Sequence, residues 1–218
     1  MSFIGAGLLA VWADVPPEIE ADFNRWYDRE HLAERVDTPG FRRARRFVSA
    51  GGTGQRYLAL YETETVDVLK SAEYLKRLKS LTPWSRRVMP AMQRTHRLCC
   101  AAVGSVGAGV GAAVATLRFA AAPGRQSALR RFLADRVLAG LHDRDGVAAA
   151  QIWEADVAVT AAGGPQPGAA ELLLLIEAND AATAESCWKG VLTKETLADL
   201  DQAPPVAGCY RLLRLLAR

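Results

Sequence analysis

The chain has 218 residues, of which 50% are apolar and 23% are charged, a composition typical of a globular protein and unlike that of a disordered one. Its formal net charge of +3 is too small to indicate nucleic acid or an anionic membrane as a partner. The 4 cysteines show no C-x-x-C spacing and no histidine at zinc-site spacing, and no signal-peptide pattern opens the chain, so we expect reduced cysteines, no metal site and a cytoplasmic protein.

The first part of the chain predicts the element order strand, helix, strand, strand, helix, strand. Pro16 and Pro17 mark the start of the first helix, because proline is tolerated in a first helical turn, and apolar residues at helical spacing extend it to about Arg35. Thr65 is the expected N-cap of the second helix, and Thr82 starts a short third one. The predicted strands cover 7–13, 41–48, 57–62 and 94–103, and the longer helices cover 17–35 and 65–80.

A glycine-rich stretch at 104–111 divides the chain almost evenly. Residues 98–117 carry no charge and are long enough to span a bilayer, but they are mostly Gly and Ala and therefore weakly hydrophobic, so we interpret them as two strands joined by a linker. The predicted organisation is an N-terminal half at 1–104, a linker at 105–111 and a C-terminal half at 112–218. Strands of the C-terminal half are expected near 113–119, 147–154, 172–177 and 208–216.

Two internal alignments indicate that the C-terminal half repeats the N-terminal one. A shift of 106 positions carries Gly40 onto Gly146 and aligns the segments around them. A shift of 115 positions carries Tyr57 onto Leu172 and aligns YLALYE with LLLLIE. The larger shift reflects a longer loop, TAAGGPQPGAA, in the C-terminal half.

Several predicted strands, such as LLAVW, LALY and LLLLI, are apolar at odd and even positions alike, so both faces of each sheet must be buried. Helices cover one face, and the sheet of the other half covers the second face. We therefore predict an α+β protein with two tandem ferredoxin-like repeats packed sheet-to-sheet within one chain.

The run FNRWYDREHLAERVDTPGFRRARRF at 23–47, followed by SAEYLKRL and TPWSRRVMP, resembles the EthD-like branch of the dimeric α+β barrel superfamily. The likeness lies in a W-Y-x-x-x-H helix before a P-G-F strand, covers about 8–103, and in the C-terminal half extends to the fold only. It implies an intramolecular dimeric α+β barrel with a cavity between sheet and helices. The superfamily includes isomerases, cyclases, cofactor-free monooxygenases, haem enzymes and proteins of no known activity, so the resemblance does not select a reaction.

Polar residues of the first helix have no counterpart in the second copy. At the shift of 106, Tyr27 and His31 meet Leu133 and Val137. A helix that only packs does not need a tyrosine and a histidine four residues apart on one face, so we predict a site there. An unperturbed imidazole titrates near pH ~6.5, which suits general acid–base chemistry at neutral pH.

The predicted roles at this site follow from spacing along the helix. His31 is the general acid or base, Tyr27 a hydrogen-bond donor, and Asp28 the group that orients the imidazole. Asn24, three residues before Tyr27, is a substrate contact. The alternative is that His31 bonds a backbone carbonyl or faces water.

The strand at 41–48 concentrates arginines, and alternation places Arg43 and Arg45 on the same face. Because a buried guanidinium is costly unless it is paired, we expect one of them to bind an anionic ligand such as a carboxylate, with pairing to Glu62 and Glu64 as the alternative. No further basic and aromatic surface accompanies this strand, so nucleic-acid binding is not indicated. Trp12, Trp26 and Trp84 are expected to line the cavity, with core packing as the alternative for each.

The favoured hypothesis is an enzyme without a metal or other cofactor, an isomerase, cyclase or oxygenase acting on a small aromatic or lactone-like carboxylate. The second hypothesis is a non-catalytic ligand-binding or assembly protein. The third is a haem protein like the tandem-repeat chlorite dismutases, which needs an axial histidine in the C-terminal half, where only His142 is available. Strands can also pair between two chains, so the sequence is compatible with a homodimer. No membrane partner is expected.

Overall fold

The computed structural model describes residues 4–52, 54–121, 124–164, 170–199 and 202–218. Its strands are β1 Gly7–Asp14, β2 Phe41–Gly52, β3 Tyr57–Thr63, β4 Gln93–Gly107, β5 Ala113–Ala120, β6 Val147–Ala155, β7 Glu171–Ala178 and β8 Val206–Ala217. Its α-helices are α1 Pro17–Trp26, α2 Leu32–Val36, α3 Ala72–Lys79, α4 Pro83–Val88, α5 Gln126–Phe132, α6 Ala139–His142, α7 Val157–Ala162, α8 Ala181–Val191 and α9 Lys194–Asp199. Single π-helical turns occupy Tyr27–His31 and Leu133–Leu138, and 3₁₀ turns occupy Val66–Lys70 and Met89–Ala91.

The strands form a closed antiparallel barrel in the order β1-β3-β2-β8-β5-β7-β6-β4. Each half contributes four neighbouring strands, and the halves are joined by hydrogen bonds along β2–β8 and along β4–β6. The predicted pair of ferredoxin-like sheets within one chain is therefore confirmed. The sheets also share edges, which leaves the closed barrel without the unpaired rims of an open sheet.

Both faces of the strands are buried, as the sequence predicts. In β1, Leu8, Ala10 and Trp12 point into the barrel, while Leu9 packs under the helices of the N-terminal half. All residues of β3 and β7 are buried. The core thus has three layers: the barrel interior and one helix-covered layer outside each sheet.

Several element boundaries differ from the prediction for identifiable reasons. Strand β4 continues to Gly107, three residues into the predicted linker at 105–111, because those residues pair with β6. The helix expected from Thr65 is divided: a 3₁₀ turn comes first, and Ser71 caps α3 by accepting a hydrogen bond from the Tyr74 N–H. Residues 98–117 form the end of β4 and the start of β5, and no helix among the described residues is long and apolar enough to cross a membrane.

The repeat is visible in the turn that follows the first helix of each half. Gly40 and Gly146 occupy equivalent positions and have φ values of 86° and 78°. These values lie in the left-handed region, which glycine adopts without the steric cost of a Cβ. The aligned glycines therefore make the same turn before β2 and β6.

A buried ionic network in the barrel interior connects the two halves. Arg45 donates to Glu177 of the C-terminal half at 2.5 Å and to Glu62 at 3.3 Å. Arg43 also donates to Glu62, at 2.9 Å through Nε. Because water is excluded here, each of these charges depends on its partners.

Replacing Arg45 with Met is expected to lower the free energy of unfolding by about 3–5 kcal/mol, because Glu177 loses its arginine while remaining buried. The matched control is Arg42→Met on the same strand, where both Arg42 and its partner Glu64 are about half exposed and the expected loss is below about 1 kcal/mol. Urea unfolding at pH 7 measures both losses. Equal losses in the two variants would contradict a structural role for the buried network.

Candidate functional site

A cavity of about 200 Å³ lies on the helical side of the N-terminal sheet. Its apolar wall consists of Leu9, Val11, Leu78, Met89 and Met92. Its aromatic and polar wall consists of Trp26, Tyr27, His31, Arg35, Tyr61 and Tyr74. Thr95, Arg97 and Gly163 complete the lining, the last of them from the C-terminal half.

The π-helical turn between α1 and α2 places two of the predicted residues in this cavity. The turn spans Tyr27–His31 and is closed by a bond from the Leu32 N–H to the Tyr27 carbonyl. A similar turn, Leu133–Leu138, stands at the equivalent place in the C-terminal half. Although π turns often mark functional sites, this one recurs where the polar residues are absent, so it belongs to the fold and the side chains make the difference.

His31 is buried and held by aromatic rings. Its imidazole stacks on the Trp26 indole, with 4.0 Å between ring centroids and 27° between planes, and meets the edge of Tyr27 at 5.1 Å. The Trp26 Nε1–H donates to Ser85 at 3.1 Å and to Glu30 at 3.2 Å. The indole therefore has a defined position, and through it the imidazole does too.

The imidazole of His31 is neutral at physiological pH. Burial, followed by the positive charge of Arg35, lowers the pKa of His31 from 6.5 to about 4, although Glu34 acts in the opposite direction. A neutral imidazole has one nitrogen free to accept a proton. The site therefore holds an available proton acceptor throughout the neutral range.

The carboxylate beside His31 is Glu34, where the sequence predicted Asp28. Glu34 Oε2 lies 3.7 Å from His31 Nδ1, slightly beyond hydrogen-bond distance. Asp28 is 42% exposed and points to Arg46 and Arg214, 3.9 Å from each. Both carboxylates stand three residues from His31, one on each side of it, so spacing along the helix does not distinguish them.

Arg35 brings a buried positive charge to the cavity. Its guanidinium lies over the Tyr74 ring, 5.5 Å from the centroid. Its Nη1 atom and the Tyr61 hydroxyl are buried without a hydrogen-bond partner of adequate geometry among the described residues. Buried polar atoms are normally hydrogen-bonded, so such atoms around one apolar cavity indicate a ligand that supplies acceptors.

The hydroxyl groups of Tyr27 and Tyr61 at the cavity stay protonated at neutral pH. Burial raises the pKa of Tyr27, and burial followed by the proximity of Tyr27 raises that of Tyr61 well above its ordinary value. Both residues can therefore donate hydrogen bonds to a negatively charged oxygen atom.

Three of the other predicted site residues lie in the barrel interior. Arg43 and Arg45 pair there with acidic residues, because the inward face of β2 points away from the helices. The alternative considered from the sequence, pairing with Glu62, is the observed arrangement for Arg43. Trp12 is also inside the barrel, beneath the guanidinium of Arg118 at 4.8 Å.

Two further predicted residues lie outside the cavity on the helical side. Asn24 accepts a hydrogen bond from Arg46, which packs between the rings of Phe23, Tyr27 and Tyr57. Trp84 lies in a surface groove and donates to Asp22 at 3.2 Å. Of the predicted set, the cavity thus brings together Trp26, Tyr27 and His31.

Sequence reasoning missed the cationic and acidic partners of His31. Arg35 carried a signal, because it stands one helical turn after His31, the same spacing that links Tyr27 to His31. Nothing in the sequence marked Tyr61 or Arg97 as a site residue, because the strand of Tyr61 has a core pattern and that of Arg97 a basic pattern. Only the packed structure shows that both side chains border the cavity. Among the described residues, no group of three His, Cys, Asp or Glu side chains is arranged to hold a metal ion.

The corresponding place in the C-terminal half is filled by apolar side chains. Leu133 and Val137, which replace Tyr27 and His31, are fully buried together with Leu129 and Leu141. His142, at the end of α6, is mostly exposed. The described helix of this half thus retains the packing role and lacks the polar groups.

No protein-family model matches the sequence, and no curated protein matches it. Solved structures do match the fold. An anthrone oxidase-like protein aligns with a TM-score of 0.69 and 10% identity over 97% of this chain and 92% of that one. A putative monooxygenase from Fusobacterium nucleatum aligns at 0.63 and 7% identity, covering 99% and 96% of the two chains. A mutant chlorite dismutase from Candidatus Nitrospira defluvii aligns at 0.62 and 6% identity, covering 96% and 91%.

Near-complete coverage of both chains shows that this protein has the dimeric α+β barrel fold, with two ferredoxin-like units. Identities of 10% or less show the fold alone and do not indicate which reaction, if any, this chain catalyses. The finer resemblance to the EthD-like branch stays a prediction.

The lowered pKa of His31 predicts a pH-dependent loss of stability. Because the folded-state pKa of about 4 lies below the unfolded value of 6.5, the stabilisation is complete above pH 6.5 and is lost as the pH falls towards 4. Between pH 7 and pH 5 the wild type should lose about 2 kcal/mol relative to His31→Gln. Urea unfolding at both pH values gives the comparison, with His142→Gln as the exposed control. Parallel pH profiles of wild type and His31→Gln would show that His31 is not a buried neutral group.

Proposed function

We propose that this chain is a small-molecule enzyme whose first chemical step is the abstraction of a proton by His31 from a small planar substrate. The observation that carries the proposal is a neutral, buried imidazole facing the same apolar cavity as the guanidinium of Arg35 and the hydroxyl of Tyr61. A proton acceptor beside a fixed cation and neutral donors suits a reaction that creates negative charge on the substrate.

The proton acceptor is Nε2 of His31 in this proposal. Glu34 lies on the side of Nδ1 and favours the tautomer with its proton there, which leaves Nε2 as the basic atom. Nε2 takes a proton from a carbon next to a carbonyl group. The C–H bond breaks and its electron pair forms a carbon–carbon double bond, while the π electrons of the carbonyl group move to the oxygen, so that an enolate forms beside an imidazolium. Both products are charged, so each stabilises the other in a site from which water is largely excluded.

The enolate oxygen is placed against Arg35 and Tyr61. Arg35 supplies a permanent charge and an Nη1–H without a partner of adequate geometry among the described residues. Tyr61 supplies a hydroxyl whose raised pKa keeps its proton in place. Donors already in position at the oxygen where charge develops lower the barrier, because they need no reorganisation during the reaction.

Three reaction types begin with this step and match the functions expected from the sequence. Return of the proton to another carbon isomerises the substrate, attack of the enolate carbon on a second carbonyl cyclises it, and reaction of the enolate with dioxygen oxygenates it. The anthrone oxidase-like protein and the putative monooxygenase share only the fold at 10% identity or less, so they do not select one of the three. Proton abstraction is common to all three and is therefore the step to test.

Cavity size and lining define the substrate that fits. A volume of about 200 Å³ with Trp26, Met89 and Met92 in the wall suits one or two fused aromatic rings. It lies below the ~300–1,000 Å³ of most ligand pockets, so a haem macrocycle does not fit this cavity. The equivalent place in the C-terminal half is filled by Leu133 and Val137, so the described residues do not support the haem alternative there.

The proposal predicts that the protein accelerates hydrogen–deuterium exchange at the acidic CH₂ group of 2-tetralone, a two-ring enolisable ketone, in D₂O. His31→Gln should slow the catalysed exchange by at least ~100-fold, since it removes the base. Arg35→Met should slow it by ~10²–10³-fold, since it removes the main partner of the enolate oxygen. Proton NMR follows the loss of the CH₂ signal.

Two exposed positions provide matched controls, His142→Gln and Arg42→Met, which should exchange the ketone at the wild-type rate. Because His31 must be neutral to act, the catalysed rate should be flat above pH 6 and fall as the pH approaches 4. Binding of the ketone without any exchange would overturn proton transfer and favour the ligand-binding hypothesis. Equal exchange by His31→Gln and wild type would overturn the role of His31.

A further inference from the structure

We propose that the C-terminal half completes the site of the N-terminal half. Its helix α7 holds Arg97 in the cavity wall, and Arg97 selects substrates that carry a second anionic group. This inference rests on the proposed function, because it concerns the ligand of the same cavity. It gives a role to the connection between β6 and β7, which is longer than the equivalent connection in the N-terminal half.

The segment is an insertion between β6 and β7. The two alignment shifts, 106 before it and 115 after it, differ by nine residues, because the C-terminal half is longer there. In the N-terminal half the equivalent strands, β2 and β3, are joined by a short connection between Gly52 and Tyr57. In the C-terminal half the longer connection contains α7, and residues 165–169 of the loop lie outside the described residues.

Helix α7 packs on the N-terminal half rather than on its own. Val159 belongs to the apolar core beneath the helices of the N-terminal half. The Asp156 N–H donates to the Cys99 carbonyl at 2.8 Å, and the Cys99 N–H donates to Thr160 Oγ1 at 3.0 Å. These bonds fix the helix against β4 two residues from Arg97.

The end of α7 holds the Arg97 guanidinium directly. Nη1 of Arg97 donates to the carbonyl of Thr160 at 2.8 Å. Gly163 lies against the guanidinium, so closely that a Cβ at this position would be 2.7 Å from Cζ of Arg97. Both Gly163 and Arg97 line the cavity, so this contact determines where the second cation of the site stands.

Tyr74 interacts with both arginines of the cavity. Arg35 lies over its ring, whereas Arg97 interacts with its hydroxyl. A planar ligand beside Tyr74 therefore meets one guanidinium near His31 and the other near the end of α7. A guanidinium has five donors in a planar fork, so the protein can hold Arg97 in place while the same group binds a carboxylate. The substrate class that fits is a planar aromatic molecule with an anionic group at the end opposite its reactive carbonyl.

The test compares benzoate with terephthalate, which differ by one carboxylate, in calorimetric titrations of the full-length protein. Wild type should bind terephthalate about tenfold more tightly than benzoate, because two arginines can be engaged instead of one. In Gly163→Ala the new methyl group displaces the Arg97 guanidinium, and in Arg97→Met the charge is removed. Both variants should lose the preference, because terephthalate then engages one arginine, as benzoate does.

Gly164→Ala is the matched control, since a Cβ there would have no atom within 4 Å among the described residues beyond its own chain neighbours, and it should keep the wild-type preference. Wild type binding both ligands equally would overturn this inference alone, as would a preference that survives in Arg97→Met. Failure of both ligands to bind wild type would overturn the inference together with the proposed site. Binding of these two ligands involves no proton transfer. If wild type prefers terephthalate but does not catalyse exchange of 2-tetralone, only the proposed reaction is overturned.

Discussion

The architecture depends on one constraint, the burial of both faces of each sheet. Strands β3 and β7 are buried at every residue, so neither sheet can present a face to water. Closing the two sheets into one barrel covers the inner faces of both, and helices must then cover the outer faces. Charged side chains buried in this interior pair with each other, as Arg45 and Glu177 do. The cavity of the N-terminal half lies on the other face of its sheet, under the helices.

The helical side has two equivalent positions, one in each half, and polar side chains border a cavity at one of them. Each half places a π turn in its first helix at the same aligned position, so the backbone presents equivalent positions to the two outer layers. In the C-terminal half those positions hold Leu133 and Val137, which fill the layer. In the N-terminal half they hold Tyr27 and His31, which border a cavity. The C-terminal half thus provides packing and α7, while the N-terminal half holds a neutral imidazole next to a cation.

The sequence was sufficient for the features that depend on local pattern. The strands, the alignment of Gly40 with Gly146 and the position of His31 on the site helix follow from alternation, spacing and alignment. What it could not supply were pairings between distant segments. Alternation places Arg43 and Arg45 on one face without showing that it is the inner one, and the partner of Arg45, Glu177, is 132 residues away and becomes a neighbour only when the barrel closes. Asp28 and Glu34 both stand three residues from His31, so spacing does not distinguish them, and only the folded chain shows that Glu34 lies beside the imidazole.

The central claim is that His31 is a neutral base which gains a proton when negative charge forms beside it in the cavity. The most direct measurement is the ¹⁵N NMR spectrum of histidine-labelled protein at pH 7, recorded free and saturated with 4-hydroxycoumarin, an enolate-type anion. The account predicts a neutral His31 ring with its proton on Nδ1 in the free protein, and a doubly protonated ring in the complex, because the bound anion raises the lowered pKa. A His31 ring that is already cationic in the free protein, or that stays neutral at saturation, would contradict it.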